Sequence, residues 1–222
     1  MAGLILLISV SFFFYKYSRQ SAQPPQPTQP AQPTPIKTLV VLGDSLTEGY
    51  GVPRDKAFPA LLEKMINDKS PAPKWKVVNA GISGSTSASG PQRMAWQLKG
   101  HPDLIILALG GNDGLRGFKV SETRKNLAET IRLARDQKVP VILAGMRMPP
   151  NYGMEYTKDF REIFPELAKD FGIPLIPFLL DKVAGIRELN QNDGIHPTEK
   201  GHELIAETVY KSIEKYLRPY SQ

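Results

Sequence analysis

The 222 residues contain no cysteine. That absence removes a disulfide framework, a thiolate zinc site, an iron–sulfur cluster, a cysteine nucleophile and lipoprotein processing, and leaves the compartment open. Histidine is scarce, with only His101, His196 and His202 to serve any chemistry that needs an imidazole. A dense basic run is also missing. The net charge is +6 and the pI about 9.4, but acids and bases are interspersed, so no stripe suits nucleic acid and none is expected as a partner. Residues 1–35 hold Lys16 and Arg19 and no acids; the remainder has 26 basic and 22 acidic residues, an excess of +4 that only weakly favours anionic lipid head groups. No Walker A sequence and no H-E-x-x-H occurs. Gly49-Tyr50-Gly51 begins like a dinucleotide fingerprint but reaches Arg54 at its last position. Neither metal nor cofactor is therefore expected, and a metal reading of Asp44, Asp113, Asp193 and His196 lacks any spaced ligand motif.

What is present divides the chain into three. Residues 1–20 open with an apolar run, Gly3-Leu4-Ile5-Leu6-Leu7-Ile8 to Phe12-Phe13-Phe14, followed at once by Lys16 and Arg19. The run is shorter than the roughly 20 residues of a perpendicular spanning helix, but Tyr15 and Tyr17 suit the interface, and an uncleaved signal-anchor is expected. A cleaved signal peptide is the alternative; it is disfavoured by Gln20 where a small residue is wanted. Residues 21–35 are a Pro/Gln tract that reads as an extended stalk rather than a PxxP ligand. Residues 36–222 then hold one domain, with 41% hydrophobic and 23% charged residues in the whole chain supporting a real core.

Within that domain, apolar β-branched runs at 38–42, 76–79, 103–109, 139–145 and 173–178 read as buried strands. Amphipathic stretches at 56–68, 91–99, 121–137, 156–171 and 197–217 read as helices. Regular alternation predicts an α/β fold, a three-layer α/β/α sandwich around a five-stranded parallel sheet; the order expected for it is the flavodoxin-like 2-1-3-4-5, in which the loops after strands one, two and three are direct neighbours. In such sheets, sites form beyond the carboxyl ends of the strands. That directs attention to Gly43-Asp44-Ser45-Leu46 after strand one, Asn79 to Gly84 after strand two, and Gly110-Gly111-Asn112-Asp113 after strand three. His101 precedes a strand, at the wrong end, and His202 falls inside the last helix, where a solvated or packed histidine is expected. His196, in the loop Asp193-Gly194-Ile195-His196-Pro197, is left as the base for a Ser45 nucleophile. Asp193, three residues earlier, is placed to bond its Nδ1. Taken singly, Asp193 reads as a turn residue, Gly84 as a turn glycine and Asn112 as a left-handed turn residue. Their combination is what argues for chemistry.

Gly43-Asp44-Ser45-Leu46, Gly84, Gly111-Asn112-Asp113 and Asp193-Gly194-Ile195-His196-Pro197 resemble, in order, the four blocks of the GDSL or SGNH hydrolases, over residues 38–217. The run from Gly110 to Gly117, with Pro149-Pro150-Asn151-Tyr152-Gly153, is closer to the branch containing bacterial thioesterase I, lysophospholipase and arylesterase. The resemblance implies a serine esterase acting on a small-molecule or lipid ester through an acyl-enzyme, with catalytic Ser45, His196 and Asp193. It implies an oxyanion hole from the backbone N–H groups of Ser45 and Gly84 and the side-chain amide of Asn112. Asp44 and Asp113 are expected to bond loop amides. Leu115, Phe118, Met148 and Tyr152, with Met146, lie in loops after strands three and four and are candidates for an acyl groove. An acyltransferase using the same residues, or a non-catalytic membrane-anchored binding module, are the alternatives. The catalytic domain is expected to act as a monomer. It is expected outside the cytoplasm, tethered through the N-terminal segment, or secreted if that segment is cleaved. Lys16 and Arg19 argue for the opposite orientation under the positive-inside rule.

Overall fold

A continuous apolar run can be a strand only if both faces of its sheet are covered, and the runs of this chain meet that condition. The computed structural model describes residues 36–69 and 73–217. The expected apolar segment at 1–20 and stalk at 21–35 lie outside the described residues. Five strands, β1 (Lys37–Gly43), β2 (Trp75–Gly81), β3 (Leu104–Ala108), β4 (Val141–Ala144) and β5 (Leu175–Ile176), form one parallel sheet in the order β2-β1-β3-β4-β5. Every residue of β3 is buried, as are Leu39 to Gly43 of β1. On one face α2 (Phe58–Lys69) packs with α7 (Glu199–Leu217); on the other α3 (Gly90–Leu98), α5 (Val120–Asp136) and α6 (Met154–Phe171) adjoin in sequence. In α7, Ile205, Val209, Ile213 and Leu217 recur at four-residue spacing and are buried. Side chains of this kind each contribute about 1.5–3 kcal/mol relative to exposure. Among the described residues no helix is long and apolar enough to cross a membrane.

The edge strand β2 is protected by α2. Trp75 N–H donates to Asn67 Oδ1 (2.9 Å), Asn67 Nδ2 donates to the Trp75 carbonyl (2.8 Å), and Val77 N–H donates to Glu63 Oε2 (2.6 Å). Those bonds occupy backbone groups that would otherwise template another strand. At the opposite edge, β5 has two residues where a run over 173–178 is expected. Pro174 and Pro177 flank it and cannot donate to a ladder. Pro140 similarly precedes the shortened β4.

Two short helices replace expected loops: α1 (Ser45–Glu48) directly after β1 and α4 (Gly111–Leu115) after β3. Asp44 caps the first, its Oδ1 accepting from Leu46 N–H at 3.1 Å. The strand register places their starting points side by side, with Gly43 opposite both Gly81 and Ala108. A Cβ on Gly43 would lie 1.9 Å from Thr47 Oγ1, and one on Gly81 would lie 2.1 Å from the Glu48 nitrogen. Glycine at both strand ends is what lets α1 settle onto the sheet.

Candidate active site

Ser45 is the first residue of α1, and the cap from Asp44 fixes the turn that carries it. Its Oγ lies 2.9 Å from His196 Nε2, and His196 Nδ1 lies 2.6 Å from Asp193 Oδ2. Asp193 Oδ1 accepts from the backbone N–H groups of Ile195 (2.9 Å) and His196 (3.0 Å). The His196 backbone N–H and then its ring hold the Asp193 carboxyl well below the usual carboxylate range, at about 2. Asp193 is thus an ionised acceptor at neutral pH. An ionised Asp193 favours the tautomer with its proton on Nδ1, leaving Nε2 to accept from the Ser45 hydroxyl.

The loop bearing His196 is pinned from several directions. Gln191 N–H donates to the His196 carbonyl (2.7 Å), and Gln191 Nε2 donates to the carbonyls of Tyr50 (2.7 Å) and Pro197 (3.0 Å). Asn190 Nδ2 donates to the Val183 carbonyl at 2.7 Å. The Tyr50 ring sits 4.6 Å from the imidazole centroid, tilted by 41°. Neither Gln191 nor Tyr50 is singled out by sequence reasoning; the only signal for Tyr50 is its place just after the Gly43–Leu46 block.

The remaining loops deliver hydrogen-bond donors. Gly84 has a φ of +75° and its carbonyl accepts from Arg116 Nη2 at 3.2 Å, while Asn112 Nδ2 donates to the Ser85 carbonyl at 3.0 Å. The backbone N–H groups of Ser45 and Gly84 have no acceptor among the described residues. The Glu48 carboxylate accepts from Ser83 N–H (2.7 Å) and from the Ser83 hydroxyl, tying the Gly84 loop to α1. Asp113 accepts from the Ser87 N–H (2.8 Å) and hydroxyl and from Thr123 Oγ1 (3.3 Å), so it braces the loop after β2 against α4 and α5. Asp44 is 3% exposed, and its burial pushes the carboxyl up to about 6 against the opposing pull of the Leu46 N–H and of the His196 and Arg93 charges. Both aspartates accept backbone N–H groups, Asp44 from Leu46 in α1 and Asp113 from Ser87 beyond β2. Among the described residues no group of three His, Cys, Asp or Glu side chains is placed to hold a metal ion.

Ser45, Asn112 and His196 open into one cleft of about 650 Å³. Leu115, Met146 and Met148 line it, joined by Phe178, Leu180 and Ile195, which sequence reasoning does not assign to the groove: Phe178 is read there as the end of a strand and Ile195 only as part of the His196 loop. Gly84 is not a lining residue and connects to the cleft through the Ser85–Asn112 bond. Two expected groove residues do not line this cleft. Phe118 is 44% exposed and outside the lining, three residues beyond the lining residue Leu115. Tyr152 is also outside it; its hydroxyl donates to the Leu115 carbonyl at 3.0 Å, bracing a groove residue from behind.

A comparison of families finds the GDSL-like Lipase/Acylhydrolase family matching residues 41–204. This chain belongs to that family. Among GDSL relatives, thioesterase 1/protease 1/lysophospholipase L1 of Escherichia coli K12 is 41% identical over 178 residues, covering 80% of this chain and 83% of the relative. An arylesterase of Vibrio mimicus is 39% identical over 180 residues, with 81% and 89% covered. Among solved structures, a psychrotrophic esterase EstA from Pseudoalteromonas sp., inhibited by monoethylphosphonate, superimposes with a TM-score of 0.76 at 33% identity, with 82% and 98% covered. The GDSL fold of this chain, with its 2-1-3-4-5 sheet, is the one the sequence predicts.

Proposed function

We propose that this chain is a serine esterase that hydrolyses carboxylic esters and thioesters through Ser45, His196 and Asp193 and a covalent acyl-enzyme. The observation that carries the reading is the unbroken relay from Ser45 Oγ to His196 Nε2 (2.9 Å) and from His196 Nδ1 to Asp193 Oδ2 (2.6 Å), at the mouth of an apolar cleft. Ser45 Oγ attacks the acyl carbonyl as its proton passes to Nε2. The developing oxyanion is received by the N–H groups of Ser45 and Gly84 and by Asn112 Nδ2. The tetrahedral intermediate collapses, and the alcohol or thiol leaves with the proton from His196. Water then repeats the sequence on the acyl-enzyme and frees the acid. Leu115, Met146 and Met148 offer the acyl chain an apolar wall. Activities in the names of the relatives, thioesterase, lysophospholipase and arylesterase, support the choice of substrate class.

The test is a panel of p-nitrophenyl esters, acyl-CoAs and lysophospholipids together with fluorophosphonate labelling of the purified chain. Turnover of at least one class with a single label on Ser45 supports the reading; no labelling and no turnover would overturn it. We also propose that the domain lies outside the cytoplasm, tethered by the apolar segment and Pro/Gln stalk. Protease added to intact spheroplasts should then cut within residues 23–35 and release active enzyme. Protection until the membrane is broken contradicts that placement.

A further inference from the structure

Arg93, on α3, lies outside every motif named so far, yet its guanidinium reaches the ends of two strands. Its Nη2 donates to the carbonyl of Gly43 at 2.8 Å and to the carbonyl of Ala80. Gly43 is the last residue of β1, immediately before Asp44 and Ser45, and Ala80 precedes the turn that leads to Gly84. The Gly43 carbonyl also accepts from Ile82 N–H at 3.2 Å, so one oxygen gathers β1, the start of the Gly84 loop and Arg93. Beyond these anchors the chain separates into α1, which carries Ser45, and the loop that carries Gly84. The two expected backbone donors to the oxyanion therefore sit on segments that Arg93 ties together at their strand ends, while Glu48 ties them further out through Ser83.

Arg93 keeps this place at a cost. Its Nη1 is inaccessible and has no partner among the described residues, and burial lowers the guanidinium pKa. A side chain retained for stability alone would be expected to have its buried donors satisfied. An unsatisfied group behind an active site fits a residue kept for what it aligns.

We propose that Arg93 is a positioning residue for ester hydrolysis, its guanidinium fixing the Gly43 and Ala80 carbonyls so that the Ser45 and Gly84 N–H groups converge on one oxyanion. The inference rests on the assignment of Ser45 as nucleophile. Misplacing a donor by a fraction of an ångström weakens only interactions that mature in the transition state, so the loss falls on kcat. Neither carbonyl touches the cleft, and substrate binding should change little.

The experiment compares full-length wild type, Arg93→Met and Arg93→Lys. It measures kcat and KM on a p-nitrophenyl ester, the rate of fluorophosphonate labelling at Ser45, thermal midpoint, and the response to low millimolar guanidinium with urea as control. Arg93→Met should lower kcat and the Ser45 labelling rate by about 10- to 100-fold, with KM within about threefold. Added guanidinium, but not urea, should restore part of the loss. Arg93→Lys keeps the charge without the planar fork and should fall between the two; it also carries the test if the Met variant does not fold. Wild-type kcat in Arg93→Lys, Ser45 labelling at an undiminished rate in Arg93→Met, or a kcat loss that guanidinium leaves untouched would each overturn the proposal. If wild-type enzyme fails to label at Ser45, the nucleophile assignment falls instead, and the two failures are told apart.

Discussion

Asp44→Asn is the perturbation whose consequence can be worked furthest from the structure. Asp44 is buried beneath the nucleophile turn, and its carboxyl titrates at about 6 in the folded state against 3.8 as a free side chain. Between those values the folded state holds a proton that the unfolded state has released, so stability falls as pH rises through the interval. Above about 6 the loss is constant. A shift of about two units corresponds to about 3 kcal/mol of cost at neutral pH. Asparagine keeps a side-chain oxygen for the Leu46 N–H and removes the charge. The unfolding free energy of Asp44→Asn minus that of wild type should therefore rise by about 2 kcal/mol between pH 4 and 7, whatever constant offset the substitution adds. Urea denaturation of both proteins across that range measures the difference directly. His202 adds a signature in the opposite sense. Its folded pKa is lowered to about 4 by burial and then by the His196 charge, so between 6.5 and 4 the unfolded state takes up the proton and stability falls as pH drops. In wild type the two slopes oppose each other through most of this window. In Asp44→Asn the opposing slope is gone, and stability should climb from pH 4 to 6.5. A variant-minus-wild-type difference that is flat with pH would refute the reasoning.

The His202 contribution has its own test: the stability of wild type relative to His202→Gln should fall by about 3 kcal/mol from pH 6.5 to 4 and be level above 6.5, as read by the same denaturant series. His202 Nδ1 accepts from the Phe58 N–H at 3.3 Å, an acceptor that glutamine retains in kind, so the pH-dependent part isolates the imidazole. For the oxyanion hole, Asn112→Ala should lower kcat by about 10² to 10³ with a much smaller change in KM. Steady-state kinetics showing a defect chiefly in KM would make Asn112 a ground-state binding residue instead.

Much of the site was legible because its chemistry is local. Ser45 follows the first strand directly, and Asp193 sits three residues before His196 on a turn, so strand ends and spacing suffice to single them out. Even the choice among three histidines followed from the position of each relative to a strand or helix, and His202 proved fully buried. What escaped were contacts of residues that belong to no motif. Arg93 reaches back 50 residues to Gly43, and Gln191 reaches 141 residues to Tyr50, and no periodicity announces either. Phe118 and Tyr152 show a related limit: sequence places their loops at the correct end of the sheet, but which side chains of a loop face the cleft is set by contacts such as the Tyr152 hydroxyl to the Leu115 carbonyl, which the sequence does not announce. Strand lengths at the β4 and β5 edge failed for a reason that was visible, since Pro140, Pro174 and Pro177 remove ladder donors.

The most direct test of the central claim is the identity and necessity of the nucleophile. Wild type and Ser45→Ala are purified in parallel, checked for matching thermal midpoints, assayed on a p-nitrophenyl ester and exposed to a fluorophosphonate, with the modified residue located by mass spectrometry. The account predicts one phosphonyl adduct on Ser45 of the wild type, none on the variant, and a loss of activity on the order of 10³-fold or more with the fold intact. Activity within tenfold of wild type, or an adduct on another residue, contradicts it.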